Sequence, residues 1–165
     1  MNKKLLALAI VACATLFVVA GIYAAVEEVI IMKNEAYPEH EKGIVEFHHK
    51  KHAEEYAKKY PDLYPNGCGD CHHDENNKPL KDLTEDSEVK SCIECHKKPG
   101  EVPKDLKKEW RAKKVKKAEK KKMELEYHAE ALHANCRGCH REYNKKYKPS
   151  EKAPTTCTKC HPKTK

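Results

Sequence analysis

Aromatic side chains are scarce in this chain, with one tryptophan and two phenylalanines among 165 residues. One of the phenylalanines, Phe17, belongs to an apolar leader, so only Phe47 and Trp110 serve the rest. Beyond residue 26 there is no long hydrophobic run, and charged stretches alternate with short apolar ones. A domain of about 140 residues built from such side chains buries too little apolar surface to offset the entropy of ordering it. That excludes an ordinary protein-only core. Methionine is scarce too: past the leader only Met32 and Met123 are present.

The first residues follow an export pattern. Asn2, Lys3 and Lys4 form a short basic start, and the stretch from Leu5 to Val26 carries no charge. A cleaved signal peptide over residues 1–25 is one reading. An N-terminal membrane anchor is the other, since about 20 apolar residues span a bilayer. Ala20, Ala24 and Ala25 offer cleavage sites, although Tyr23 interrupts the usual small-residue form. Ile10-Val11-Ala12-Cys13 also resembles a lipoprotein box, with a short apolar run before it. Each reading leaves residues 26–165 on the far side of the membrane, with Lys3 and Lys4 behind. The expected location is therefore the periplasm, an oxidising compartment in which cysteines need an explanation.

Of nine cysteines, Cys13 lies in the leader and the other eight form four C-x-x-C-H units. These are Cys68-Cys71-His72, Cys92-Cys95-His96, Cys136-Cys139-His140 and Cys157-Cys160-His161. C-x-x-C-H is the attachment signature of c-type haem. Thiols three positions apart can add to the two vinyl groups on one haem edge, and the following imidazole then reaches the iron. A disulfide framework explains the cysteines but not the histidine after each second one. Zinc would take four ligands from shared pairs and leave that histidine unexplained. A thioredoxin-type pair needs only one copy. Four units with no cysteine left over favour four covalently bound c-type haems, each a large apolar plate that supplies the missing core.

Four of the eleven histidines are used as proximal ligands, leaving His40, His48, His49, His52, His73, His128 and His133 for the opposite faces. Two methionines are too few, so bis-histidine ligation is the economical reading, and it lowers reduction potential relative to methionine. His73 directly follows His72 and must turn to a neighbouring haem. His49 and His52 are three apart and share a face if the segment through Lys59 is helical, so that one helix feeds two haems. His133 stands three residues before Cys136, close enough to arch over a haem held by the same loop. His128 reads as a solvated helix residue, and His40 and His48 as spare.

In this order of parts the chain resembles the class III cytochromes c, the tetrahaem cytochrome c3 group and its trihaem relatives. An apolar strand, Val29-Ile30-Ile31-Met32, is followed by Phe47-His48-His49 and His52, then by Cys68-Gly69-Asp70-Cys71-His72-His73 and three further units. The resemblance covers residues 28 to 162. It implies His49 and His52 as distal ligands of the first and third haems, His73 of the second and His133 of the fourth, with Phe47 packed beside the first. Some family members use a longer second and fourth motif, whereas all four are short here. The other departure is a basic insert of about 40 residues between His96 and Cys136.

Residues 104–122 hold eleven Lys or Arg against Asp105, Glu109 and Glu119, a net charge of +8 in a chain of +7. With Lys3 and Lys4 set aside, the remainder is near −3. Four oxidised haems with their propionates add roughly −4 by charge counting, so the whole is close to neutral but unevenly charged. No Gly or Pro lies between Asp105 and Asn135. Leu106, Trp110, Val115, Leu125 and Leu132 suggest a thin apolar stripe, and one long basic helix before the third motif is expected. Its lysines form a solvated face or a surface for an acidic redox partner or an anionic membrane; nucleic acid is not an expected partner.

The expected fold is mostly α with little regular secondary structure. It is a small multihaem cytochrome c fold wrapped around four haems, with a short N-terminal β-hairpin and the long basic helix. The expected function is electron transfer without enzymatic chemistry, since a multihaem reductase needs an open coordination position and the histidine count shows none. The resemblance implies hydrogenase, formate dehydrogenase or a membrane cytochrome complex as redox partners in anaerobic respiration. The alternative is a membrane-anchored subunit of a quinone-linked complex held through residues 5–26 or the basic helix.

Overall fold

The computed structural model describes residues 27–163. The leader and its competing readings lie outside the described residues. Regular structure is mostly helical, and the sheet is a two-stranded antiparallel ribbon, β1 (Ile30–Ile31) and β2 (Glu46–Phe47). Ile30 faces Phe47 and Ile31 faces Glu46. This is not a tight hairpin: residues 32–45 make a wide excursion between the strands, closed by Met32 N donating to Val45 O at 2.9 Å. The apolar strand is shorter than Val29 to Met32.

β2 leads into α1, a π-helical run Lys51–Tyr56 that continues as α-helical Ala57–Lys59. π turns take more residues per turn than α turns, so side chains three apart diverge more than on an α-helix. Two short helices carry cysteine pairs, α2 (Cys92–Cys95) and α6 (Cys157–Cys160). Ser91 and Glu94 form a capping box on α2, with Ser91 N donating to Glu94 Oε1 at 2.7 Å. The first pair straddles the end of a 3-10 turn, Gly67–Asp70, with Cys68 on it and Cys71 as its C-cap. Asp70 braces it by accepting from Asn66 N at 2.8 Å and Asn66 Nδ2 at 2.9 Å.

The single long basic helix expected from the sequence is three helices: α3 (Lys104–Ala112), α4 (Lys117–Glu124) and α5 (His128–Tyr147). Neither break needs glycine or proline. At the first, Lys114 takes a left-handed φ of 51° and Val115 N donates back to Trp110 O at 3.0 Å. At the second, the carbonyls of Leu125 and Glu126 turn away to accept from His96 and from Lys98 N, so tertiary hydrogen bonds replace helical ones. The third motif is not reached at the end of a helix but lies inside α5, which runs on until Lys148 turns left-handed.

Only Val102 (3% exposed) and Trp110 (7%) are buried apolar side chains among the described residues. Both belong to the insert, and the ion pair of Lys107 with Glu130 at 2.7 Å ties α3 to α5. At the other end Tyr60 packs on Tyr143 and Tyr147, ring centres 5.0 and 4.7 Å away, and Asp62 accepts from Tyr147 Oη and Lys146. These contacts pin the end of α1 to the end of α5.

Candidate haem-binding site

The members of each cysteine pair sit one helical turn apart, and the trailing histidines of the second, third and fourth pairs are each held by a bond from outside the motif. His140 Nδ1 donates to Pro154 O at 2.7 Å, His161 Nδ1 to Gly43 O at 2.8 Å, and His96 Nδ1 to Leu125 O. Two further imidazoles do likewise: His52 Nδ1 donates to His48 O at 2.9 Å and His73 Nδ1 to Asp74 O at 2.8 Å. A proton held on Nδ1 leaves the Nε2 lone pair free, which is the state a metal requires. Burial holds His52, His72 and His133 below the ordinary imidazole value, keeping them neutral.

The structure brings eight histidines together in four pairs. Ring centres are 6.3 Å apart for His49 and His72, 6.2 Å for His52 and His140, 6.0 Å for His73 and His96, and 6.3 Å for His133 and His161. That separation has a simple metric meaning. An imidazole–metal bond is about 2 Å, and a five-membered ring with bonds near 1.33 Å places its nitrogen about 1.1 Å from its centre. Two such arms end to end span about 6.3 Å, the distance two imidazoles keep when one metal atom lies between them.

Each pairing has a local cause. His49, just before α1, and His52, in its first turn, go to different partners; Phe47 lies 5.9 Å from His49 and 4.7 Å from His52, so it packs closer to His52. His73 is turned by an Asx loop in which Asp74 Oδ1 accepts from Asn76 N and Lys78 N at 2.9 and 2.8 Å. Leu80 N then closes on His72 O at 3.0 Å. His133 meets the imidazole of the fourth motif, not of the neighbouring third, because α5 carries Cys136 through the helix and leaves His133 facing His161. Its Nδ1 lies 3.8 Å from Glu101 Oε1.

His128 departs from the expectation of a solvated helix residue. It is 6% exposed, and its Nδ1 is 2.8 Å from Tyr37 Oη. It starts α5, with its backbone N donating to Lys98 O at 2.8 Å, so it lies against the body at the neck of the insert. His40 stacks on Tyr37 at 5.4 Å. No local sequence signal marks His128, because the hydroxyl it meets comes from Tyr37, 91 residues earlier.

The fourth site shows most directly whether a haem fits. A cavity of about 200 Å³ is lined by Glu41, Lys42, Gly43, Cys157, His161 and Pro162, and a smaller one lies between His133, Arg137 and His161. Arg137 Nε is buried there with no hydrogen-bond partner among the described residues. A buried guanidinium edge without an acceptor calls for an anionic group, and haem carries two propionates. The residues therefore fit the group. Gly43 is required by close approach, since a Cβ would stand 2.0 Å from Pro162 O. Gly43→Ala is expected to cost about 1–3 kcal/mol through overpacking and to perturb the fourth site before the others. Thermal unfolding with site-resolved paramagnetic spectra checks this, and an unchanged melting point would refute it.

Among the described residues no helix is long and apolar enough to cross a membrane. No curated protein and no solved structure matches the chain. The family model described as the Class III cytochrome C family matches residues 25–161. With cysteine pairs carrying histidines, imidazoles facing one another at a metal-bridging distance and a body almost without apolar core, the chain belongs to the class III cytochrome c family.

Proposed function

We propose that the protein is a periplasmic low-potential electron carrier holding four covalent c-type haems, each closed by two histidines. Class III cytochromes are multihaem electron carriers and not enzymes. The finer reading rests on one observation, the four imidazole pairs at 6.0–6.3 Å, each including the histidine of a C-x-x-C-H unit. Cys68 and Cys71, Cys92 and Cys95, Cys136 and Cys139, and Cys157 and Cys160 would hold the haems. His72, His96, His140 and His161 would be the proximal ligands, and His49, His73, His52 and His133 the corresponding distal ones.

When bound, haem iron supplies reversible one-electron chemistry at a potential set by its axial ligands and surroundings. The chain fixes those ligands. Carbonyls of His48, Asp74, Leu125, Pro154 and Gly43 orient five imidazoles, so that little rearrangement is needed on changing charge. An imidazole on each face leaves no position for a substrate. His72 and His73 are adjacent yet belong to different pairs, which ties the first and second sites together through one peptide bond.

The mature polypeptide is expected to exceed its sequence mass by four haems and to give only low-spin ferric signals. Fewer haems, or carbon monoxide binding to the native ferrous protein, would overturn the count or the closed ligation respectively. Hydrogenase, formate dehydrogenase or a membrane cytochrome complex is the expected class of redox partner, through the family. The charge-free run from Leu5 to Val26 supports a second reading, the same domain held at the membrane as a subunit of a quinone-linked complex. A mature N-terminus near Val26 would eliminate it.

A further inference from the structure

Between the second and third cysteine pairs the chain leaves the body and returns to it at one place. Lys98 N donates to Glu126 O at 3.1 Å, His128 N to Lys98 O at 2.8 Å and Ala129 N to Gly100 O at 3.1 Å. The fourth bond of this neck comes from the His96 imidazole to Leu125 O. The departing and returning segments are thus joined side by side, and the joint includes the histidine that follows the second cysteine pair.

The lobe beyond the neck is α3 and α4. Within it Trp110 is buried, and its Lys107 pairs with Glu130 of α5. Its outer side is basic: Lys104, Arg111, Lys114, Lys117, Lys121 and Lys122 are exposed and make no ion pair among the described residues. The net +8 of residues 104–122 stands against about −3 for the rest of the exported chain. Such separation orients the molecule in the field of an acidic partner and raises the rate of encounter.

Resting on the electron-carrier reading, we propose that this lobe is the docking surface for an acidic redox protein, and that it makes the haem between His73 and His96 the port through which electrons enter or leave. A lipid surface is the poorer occupant. None of the large exposed apolar side chains of the described residues, Ile31, Tyr56, Val89 and Tyr147, lies in the lobe, whereas interfacial helices need an apolar face to bury. An acidic protein needs only the charge and a nearby haem, and the lobe's neck is bonded to that haem's ligand.

The test uses the complete haem-loaded protein and an acidic plant-type [2Fe–2S] ferredoxin, whose low potential makes it a competent donor. Stopped-flow rates are compared for the parent, for K117E/K121E/K122E, for the milder K117Q/K121Q/K122Q, and for a control reversal on the body, K145E/K148E/K152E. The expected result at low ionic strength is a fall of roughly tenfold or more for the first variant, a smaller fall for the second and little change for the control. The rates should converge at ~1 M salt, where the screening length is about 3 Å. Ferredoxin should also shift the paramagnetic haem-methyl resonances of the second haem first. Equal rates for all four proteins, an equal fall in the control, or first shifts at another haem would overturn the proposal. So would loss of binding to phosphatidylglycerol vesicles with the ferredoxin rate unchanged, in favour of a membrane. Haem content and low-spin spectra are measured on the same samples. If these show missing haems, the carrier reading fails; if they are intact and the rates do not respond, only the docking inference fails.

Discussion

A chain made without haem attachment is expected to show no cooperative unfolding transition. The only buried apolar side chains among the described residues are Val102 and Trp110, and both belong to the insert. Fixing the backbone costs about 1–2 kcal/mol per residue, which two side chains cannot offset over 137 described residues. Nor does the helix content rescue it. The longest helix among the described residues, α5, has 20 residues, and most helical stability in proteins comes from packing of an apolar face and not from the helix itself. The haem-free state is obtained by making residues 26–165 in the cytoplasm, away from the attachment machinery. Its heat capacity and far-ultraviolet dichroism should change without a sigmoidal step, and amide exchange should show no protected core. A sharp transition with native-like protection would mean that the polypeptide carries its own core and that the haems are additions to it.

The second large effect is expected at His133. On the proposed ligation, His133→Met exchanges one imidazole of the fourth site for a thioether, which raises the potential of that haem. The shift should be on the order of 0.1 V, within the ~0.8 V range that axial ligands cover. The other three potentials should move far less. His128→Ala supplies the contrast. It leaves the four imidazole pairs in place but removes a buried imidazole together with its bond to the part-buried Tyr37 Oη, at a cost of about 1–3 kcal/mol. Spectroelectrochemical titration separates the two. One raised potential in the first variant, and four unchanged potentials with a lower melting point in the second, is the predicted outcome. The reverse pattern would give the fourth haem to His128.

Glu101 bears on the same site. Its carboxylate lies 3.8 Å from His133 Nδ1 and 3.1 Å from Lys42 Nζ. A carboxylate beside a ligand's second nitrogen makes that ligand a better donor to the metal, and Lys42 offsets part of the charge. Glu101→Gln is therefore expected to raise the potential of the fourth haem modestly, by less than the methionine substitution does. An unchanged or lowered potential would show that Lys42 already neutralises the carboxylate.

What could be read without coordinates was chemistry confined to a few consecutive residues. The C-x-x-C-H units place two thiols and an imidazole within five positions, so the covalent bonds determine their own geometry. The poverty of Phe47 and Trp110 as core material announced that something other than side chains must fill the interior, and the order of the histidines carried the family. The tertiary structure decided whatever depends on segments far apart in the chain. For His133, which the resemblance already gave to the fourth haem, it supplied the cause: α5 runs straight through Cys136 and Cys139 and leaves His133 beside His161. It split the basic segment into a lobe, since Leu125 and Glu126 bond to His96 and Lys98 in place of their own helix. It also buried His128 against Tyr37. Local spacing determines what a motif can bind; the carbonyl that orients a histidine comes from wherever the chain returns, and only the folded path specifies that.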